Sequence, residues 1–122
     1  MEWQVDFHTD FRAEFETLSE PVQDEILALM ELLRVAGPHL KRPDTDTLSG
    51  SRHSNMKELR FDADNGVWRV AYAFDPQRMA ILLVGGDKSG ISQKRYYRTL
   101  ITKADARFDA HLANLNPKGM RK

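Results

Sequence analysis

The chain contains no cysteine and no long apolar run. Without cysteine there is neither a disulfide framework nor a metal site built from thiolates. A helix that crosses a bilayer needs about 20 consecutive apolar residues, and no stretch approaches that length. Glu2 stands where a signal peptide carries basic residues. We therefore expect a cytoplasmic protein that does not enter a membrane.

The composition is that of a globular chain. Of the 122 residues, 41% are hydrophobic and 30% are charged, which leaves no reason to expect disorder. A length in this range corresponds to one domain, because domains typically have about 100 to 150 residues. We expect the domain to span residues 1–115 and to be followed by a flexible basic tail over residues 116–122.

The formal net charge is zero because two oppositely charged regions cancel. Residues 1–40 hold nine acids and two bases, whereas residues 41–122 hold nine acids and sixteen bases. Such a basic region is a candidate surface for a polyanion, while the acidic region is typical of a solvated face. Charge runs are usually solvated faces, so segregation alone does not identify a nucleic-acid interface.

The first third of the sequence predicts a strand followed by a helical hairpin. Apolar and polar residues alternate over residues 3–7, as in a half-buried strand. A short helix follows with Thr9 or Asp10 as its N-cap, and a second helix begins after Ser19. The second helix should end at residues 36–38, where a glycine precedes a proline. Its apolar stripe consists of Val22, Ile26, Leu29, Met30 and Leu33.

The rest of the sequence predicts a loop, three strands and a helix. Residues 39–55 have the composition of a loop, and residues 56–62, 67–74 and 79–84 are strand-like segments joined by turn-forming residues. The third segment is apolar at both parities, which fits a strand covered on two faces. The last helix should run from about residue 92 to 115. The predicted class is α+β: strand, helical hairpin, antiparallel three-strand meander and C-terminal helix.

Strand parity brings two arginines together. Side chains alternate along a strand, and matching the apolar faces with a short turn places Phe61 opposite Trp68 and therefore Arg60 opposite Arg69. Like charges in this position are destabilising unless an anion offsets them. Glu58 is the internal candidate and a phosphate is the external one. Parity leaves two interpretations open, a surface cluster of these charges and a binding site.

A second concentration of bases follows the last strand. Lys88, Lys94 and Arg95 are interleaved with Tyr96 and Tyr97, a combination that is typical of phosphate binding and base stacking. Tyr97 begins the apolar stripe of the last helix and is expected to be half buried. Tyr96 is then the better candidate for contact with a ligand.

Three other kinds of site do not fit the sequence. A phosphate-binding loop requires glycines at two positions that Leu82 and Asp87 occupy here. The four histidines lack the paired spacing of metal ligands, and no G-x-S-x-G turn is present for a catalytic serine. We therefore expect no metal and no cofactor.

Four short segments together carry a resemblance. They are LSGSR (48–52), KELR (57–60), WRVAYAFDP (68–76) and LLVGGDK (82–88). With the order of elements, they resemble the RelE/ParE toxin superfamily, and in particular the phage-derived Gp49-like, HigB-type branch of type II toxin–antitoxin systems. The resemblance implies a ribosome-dependent messenger-RNA endonuclease that is neutralised by an antitoxin, often of the helix-turn-helix type.

The resemblance also implies roles for individual residues. Arg60 and Arg69 match the basic strand positions that grip the scissile phosphate, and Lys88 matches the basic position after the last core strand. Glu58 matches an acid of the Gp49-like branch and is either a base or a partner that orients Arg60. His53 is either a general base or a solvated bystander. The candidate RNA-binding residues are Arg52, His53, Lys57, Lys94, Arg95, Tyr96 and Tyr97.

Two alternatives to the nuclease remain open at this point. The fold also supports the gyrase poisoning of the ParE side of the superfamily, because one fold hosts several functions. A module that has lost toxicity and only holds an antitoxin is the other alternative. In each case, we expect an antitoxin segment to pack on exposed apolar surface of the helical hairpin or near Trp3.

Overall fold

A five-stranded sheet organises the computed structural model, which describes residues 2–115. The strand order is β1-β5-β4-β3-β2, with β1 parallel to β5 and all other neighbours antiparallel. The predicted tail, residues 116–122, lies outside the described residues. The elements are β1 (Gln4–Phe7), α1 (Thr9–Phe15), α2 (Glu20–Ala36), β2 (Thr45–Thr47), β3 (Lys57–Ala63), β4 (Gly66–Phe74), β5 (Met79–Asp87) and α3 (Gln93–Leu115).

Helices cover both faces of the sheet. One core lies between the sheet and the α1–α2 hairpin, and the other lies between the sheet and α3. Successive residues of β5 point into different cores, Leu82 toward the hairpin and Leu83 toward α3. This confirms the prediction of a strand covered on two faces and explains why β5 is apolar at both parities.

Within residues 2–115, the helices are too short or too polar to cross a membrane.

The α+β class and the helical hairpin are confirmed, with one correction at the start of α1. The N-cap is His8 rather than Thr9 or Asp10, and its Nδ1 accepts a hydrogen bond from the backbone N–H of Asp10 at 3.1 Å. A histidine nitrogen can fill this role because the orphan N–H of a first helical turn needs only an acceptor. Ser19 precedes α2 as predicted, and the five stripe residues of α2 are buried.

The prediction of a loop over residues 39–55 missed β2. This three-residue strand pairs with β3 at the edge of the sheet, placing Thr45 opposite Leu59. The Thr45 hydroxyl is buried against the hydroxyl of Tyr72 at 2.8 Å. A strand made of Thr-Asp-Thr has no apolar alternation, so its pairing depends on β3 and leaves no signal in the sequence.

A two-residue turn sets the register between β3 and β4. Asp64 and Asn65 have φ values of 54° and 62°, and Ala63 pairs with Gly66. Positive φ at both central residues gives the backbone twist that joins antiparallel strands tightly, and Asp and Asn tolerate it better than most residues. The predicted pairing of Phe61 with Trp68 is confirmed.

Gly37, which ends α2, yields a test of the fold. Its φ is 58°, and a Cβ atom at this position would overlap the indole of Trp3. We expect Gly37→Ala to lower the free energy of unfolding by roughly 1 to 3 kcal/mol for the backbone conformation, with a further loss from the overlap. Urea unfolding measures the difference.

Gly90→Ala is the matched control. Gly90 also has a positive φ, 75°, but within the described part of the chain nothing lies within 4 Å of an added Cβ. Gly37→Ala should therefore cost more than Gly90→Ala. Equal losses would mean that the contact with Trp3 does not constrain the helix end.

Candidate functional site

The β3–β4 hairpin brings Arg60 and Arg69 into direct cross-strand register, as parity predicts. Both side chains stand on the face of the sheet that α3 covers, as does Glu58, two residues before Arg60 on the same strand. A shift of the register by one residue would move every side chain of β3 to the other face of the sheet, and the tight turn at residues 64–65 prevents such a shift.

Glu58 lies between the two guanidinium groups. Its Oε2 accepts a hydrogen bond from Nη1 of Arg60 at 2.8 Å, and its Oε1 lies 4.0 Å from Nε of Arg69. Arg69 also donates from Nη1 to the carbonyl of Trp68 at 2.8 Å. The carboxylate therefore offsets the repulsion that the register imposes on the arginines.

Two of these charged groups are buried, which excludes the interpretation as a surface cluster. Glu58 is 4% exposed and Arg69 is 6% exposed. Within residues 2–115, Oε1 of Glu58 and Nε of Arg69 have no hydrogen-bond partner. Buried polar atoms are normally paired, since each unpaired group costs about 1 to 3 kcal/mol. An unpaired acceptor beside an unpaired donor is an exception that a bound water, an ion or a catalytic role can explain.

Lys88 is fixed beside the arginines by a short network at the end of β5. Its backbone N–H donates to the carbonyl of Val67 at 2.8 Å, and the carboxylate of Asp87 accepts from the N–H groups of Val67 and Ser89 at 3.0 and 2.9 Å. Burial lowers the pKa of Lys88, and the positive charges of Arg69 and Arg60 lower it further. The shift indicates that the three cations share one electrostatic environment.

Tyr97 closes the site from the first turn of α3. The Lys88 Nζ lies 5.7 Å from the centroid of its ring, and its hydroxyl lies beside Glu58 and Arg69. Burial raises the pKa of Tyr97 and the neighbouring carboxylate raises it further, so the hydroxyl keeps its proton at neutral pH. Glu58, Arg60, Arg69, Lys88 and Tyr97 are called the cationic cluster below.

The prediction that Tyr96 contacts a ligand was wrong, whereas Tyr97 is half buried as expected. Tyr96, expected to face a ligand, is 8% exposed, and its hydroxyl donates to the carbonyl of Gly86 at 2.7 Å. Tyr97 is the one that remains partly open. Tyr96 packs over Gly86, where an added Cβ would lie in ordinary van der Waals contact with the tyrosine ring. Burial raises the pKa of Tyr96 far above its ordinary value.

Arg52 and His53 do not reach the cationic cluster. Both side chains bind Asp109 of α3, His53 at 2.8 Å and Arg52 through its guanidinium. Asp109 lies twelve residues beyond Tyr97, which corresponds to about 18 Å along a helix. The hydrogen bond to Asp109 raises the pKa of Arg52, and the pKa of Asp109 is lowered in return. These contacts hold the loop before β3 against α3.

The other predicted contacts are divided between different surfaces. Lys57 precedes Glu58 on β3 and therefore points to the opposite face of the sheet, where it lines a shallow depression with Lys41 and Arg42. Lys94, one turn before Tyr97, is exposed, and Arg95 is exposed on another flank of α3. Of the seven candidate RNA-binding residues, Tyr97 belongs to the cationic cluster and Lys94 lies one helical turn from it.

Sequence reasoning missed the supporting role of two residues, Tyr96 and Asp87. The buried Tyr96 hydroxyl and the carboxylate of Asp87 position the ends of β4 and β5 from which Arg69 and Lys88 project. The consecutive glycines Gly85 and Gly86 in β5 do indicate close approach of another group, but the group that comes close is Val70 at Gly85 rather than Tyr96. The role of Asp87 has no comparable signal.

Comparison with known proteins places the chain in a family. The family of phage-derived Gp49-like proteins matches residues 13–109. The candidate toxin HigB3 of Mycobacterium tuberculosis is 42% identical over 100 residues, which cover 82% of this chain and 85% of that protein. The candidate toxin HigB2 of the same organism is 41% identical over 97 residues, which cover 79% of this chain and 48% of that protein.

Two solved structures share the fold. A mutant of Escherichia coli toxin RelE with two arginines replaced by alanine, in the free state, superposes with a TM-score of 0.60 at 12% identity, covering 84% of this chain and 97% of that one. RelE in the archaeal RelE–RelB complex from Pyrococcus horikoshii gives a TM-score of 0.53 at 16% identity, covering 74% and 99%. The chain therefore belongs to the phage-derived Gp49-like protein family, within the RelE/HigB toxin superfamily.

Proposed function

We propose that the protein is the toxin of a type II toxin–antitoxin pair and that it is an endoribonuclease that cleaves messenger RNA on the ribosome. The observation that carries this proposal is the cationic cluster, in which two arginines flank one buried carboxylate with an unpaired oxygen, and the positive charge of Lys88 acts on the same arginines. The membership of a family with HigB relatives supports the same conclusion.

Cleavage of RNA through its own 2′-hydroxyl suits a cluster of this kind. The 2′-oxygen attacks the adjacent phosphorus, the bond to the 5′-oxygen breaks, and the products are a 2′,3′-cyclic phosphate and a 5′-hydroxyl. The reaction needs removal of the 2′ proton, stabilisation of the charged phosphorane and protonation of the leaving oxygen. Fixed cations and proton carriers supply all three, each contributing about 10²- to 10⁴-fold.

The geometry suggests how the groups divide this work. Arg60 and Arg69 bind the phosphate and stabilise the phosphorane, and Oε1 of Glu58, unpaired within residues 2–115, accepts the 2′ proton. Lys88, with its lowered pKa, is the better acid of the remaining donors and protonates the leaving oxygen. The neutral Tyr97 hydroxyl donates a hydrogen bond to the phosphate.

The distribution of the other bases favours a substrate that is held by the ribosome. Arg52 and His53 are occupied by Asp109, and Lys57 lies on the opposite face of the sheet. The cluster thus has catalytic groups but few neighbours that could position an RNA backbone. Positioning by an external scaffold would provide the orientation that this chemistry requires.

An antitoxin is the second partner in this proposal. The P. horikoshii RelE neighbour is in complex with RelB. Because the cationic cluster is assembled within a single chain, the antitoxin is expected to restrain a toxin that is complete without it.

Arg60→Ala tests the proposed nuclease activity. We expect Arg60→Ala to reduce cleavage by about 10²- to 10³-fold, because it removes one preorganised donor from the charged transition state. Induced expression in a bacterium with mapping of transcript 5′ ends measures the effect. Arg34→Ala, which removes an exposed ion pair on α2, is the control and should leave the frame-dependent cuts intact. Unchanged cuts with Arg60→Ala would rule out this assignment.

Arg69 requires a different design because it is buried. Arg69→Ala leaves the Glu58 carboxylate buried without its neighbour, and such losses typically cost about 3 to 5 kcal/mol. We expect the double variant Glu58→Gln/Arg69→Ala to recover much of this stability in urea unfolding while cleavage remains lost. Recovery of cleavage together with stability would contradict the catalytic roles of both Glu58 and Arg69, and Glu58→Gln alone shows how much of the loss belongs to the carboxylate.

The two tyrosines make a matched pair. Tyr97→Phe should reduce cleavage by about 10- to 100-fold, the value of one hydrogen bond to a charged group, with little change in the unfolding midpoint. Tyr96→Phe should instead lower the free energy of unfolding by about 1 kcal/mol, since it removes the bond to Gly86. The reverse pattern would assign the ligand-facing role to Tyr96.

The lowered pKa of Lys88 predicts the direction in which phosphate affinity changes with pH. Its lowered pKa means that the ammonium group loses its proton at a lower pH than an ordinary lysine, so phosphate affinity should fall as pH rises through that value. Lys88→Arg should abolish this fall, because a guanidinium stays protonated. Titration with a 2′-O-methyl RNA oligonucleotide, which cannot be cleaved, measures affinity alone. A profile unchanged by Lys88→Arg, or flattened equally by Lys94→Arg, would contradict the prediction.

A further inference from the structure

Lys88 brings an amine to the cationic cluster. Its Nζ lies 5.7 Å from the centroid of the Tyr97 ring and donates to Oε1 of Gln93 at 3.4 Å. Gln93 is neutral, and among the described residues no carboxylate forms an ion pair with this ammonium group. A lysine that no anion holds in its charged form can lose its proton and act as a nucleophile.

The surroundings of Lys88 make its amine more reactive than that of an ordinary lysine. Burial lowers its pKa, and the positive charges of Arg69 and Arg60 lower the pKa further. At neutral pH, a larger fraction of the side chain is therefore uncharged. Desolvation and a neighbouring cation are the two means by which proteins commonly activate a lysine for covalent chemistry.

Arg60 offers a phosphate site beside this amine. Among the described residues its guanidinium donates only to Glu58, from Nη1 at 2.8 Å, and its side chain is 23% exposed. The other donors of the guanidinium are available to a ligand, and their planar arrangement suits a phosphate group. Arg69 is buried and adds its positive charge. A molecule that binds here through a phosphate therefore brings its neighbouring atoms close to Lys88.

We propose that Lys88 is a site of acylation by acyl phosphates, which the cationic cluster binds through their phosphate group. The uncharged amine attacks the carbonyl carbon, a C–N bond forms, and the bond from that carbon to the phosphate oxygen breaks. The amine proton passes to the departing phosphate. The products are an amide on Lys88 and inorganic phosphate, so the step needs no oxidant, reductant or cofactor.

The cluster favours an acyl phosphate over other acylating molecules. Negative charge accumulates on the phosphate as it leaves, and the guanidinium of Arg60 stabilises that charge. Burial and the carboxylate of Glu58 raise the pKa of Tyr97, so its hydroxyl keeps the proton that it can donate to the carbonyl oxygen. A simple anhydride or a thioester gains less from the site, because its leaving group carries no phosphate at the reacting carbon.

Acylation of Lys88 would switch off the proposed nuclease. An amide has no ammonium proton to give to the leaving oxygen of RNA, and the modification removes a positive charge from the cluster. This consequence rests on the proposed function. The acylation itself requires only the amine and the phosphate site.

The full chain treated with acetyl phosphate tests the proposal, and Lys94 is the matched control. Lys94 is exposed, whereas Lys88 is half buried, so exposure alone would make Lys94 react faster. We expect the opposite order, because a bound phosphate holds the acyl group near Lys88. Peptide mass spectrometry at successive times measures the acetylation rate of each lysine. Faster acetylation of Lys94 would overturn the proposal.

Acetic anhydride separates binding from intrinsic reactivity. It transfers the same acetyl group but has no phosphate, so its preference between Lys88 and Lys94 depends only on their exposure and nucleophilicity. We expect the preference for Lys88 to be about 10-fold greater with acetyl phosphate than with the anhydride, through the proximity that binding provides. Equal preferences with the two reagents would contradict acylation from a bound state.

Inorganic phosphate tests whether the acyl phosphate is bound. At constant ionic strength, an excess of inorganic phosphate should slow the reaction of Lys88 with acetyl phosphate. The same excess should leave the reaction of Lys94, and both reactions with the anhydride, unchanged. If Lys88 reacted with acetyl phosphate at the same rate in the presence of inorganic phosphate, the phosphate site would be ruled out.

Arg60→Ala tests which residue binds the phosphate. The variant should lower the ratio of the acetyl phosphate rate to the anhydride rate at Lys88 by about 10-fold, because it removes the exposed guanidinium. Dividing the two rates cancels any change that the variant makes in the pKa or the exposure of Lys88. An unchanged ratio would overturn the assignment of the site to the cationic cluster.

The outcome can be separated from that of the nuclease proposal. Acetylation rates are measured without RNA or ribosomes, so a loss of selectivity for Lys88 overturns the acylation site alone. For the switch, acetylated protein freed of reagent is added to a cell-free translation reaction, where we expect no messenger cleavage. Protein acetylated in the presence of excess phosphate is the control, because it carries the other acetyl groups. Cleavage by protein that is fully acetylated at Lys88 would overturn the switch and the proposed role of Lys88 as the acid.

Discussion

The site depends on the two-residue turn between β3 and β4. With Asp64 and Asn65 at positive φ, the hairpin has a single register, and this register places two guanidinium groups opposite each other. Glu58 makes the arrangement tolerable, yet it satisfies only part of the hydrogen-bonding capacity of the pair. The chain cannot relieve the repulsion between the guanidinium groups by sliding one strand along the other. The conformation of the turn therefore determines the electrostatics of the site.

The buried charged groups of this site lower the stability of the folded chain. A buried carboxylate with one unpaired oxygen, beside a buried arginine with one unpaired nitrogen, destabilises the folded chain in the absence of a ligand. Proteins commonly offset such costs elsewhere. Here the compensating contacts are visible on α3: Ser51 and Asp105, His111 and Asp75, and Arg107 and Glu14 anchor the helix to three different parts of the fold.

Sequence reasoning reached the order of elements and the pairing of the arginines because both follow from short-range rules. The α2 stripe, the Gly37 stop and the alternation in β3 and β4 are periodic signals that tertiary contacts do not alter. It did not reach β2 or the burial of Tyr96. That burial depends on the hydrogen bond of the Tyr96 hydroxyl to Gly86 and on packing over the end of β5, and helical periodicity cannot resolve adjacent residues.

The segregation of charge along the sequence becomes a segregation in space. Residues 1–40 supply the helices on one face of the sheet, and the basic residues of α3 and of the cationic cluster lie on the other. Acids and bases of the described residues are therefore distributed unevenly across the sheet, which gives this part of the chain an electric dipole moment. In the field of a polyanion this dipole produces a torque rather than a simple attraction, so the molecule would turn its α3 face forward before contact. Because salt screens electrostatic interactions, this preference acts only within roughly a Debye length, which is about 10 Å at 0.1 M salt.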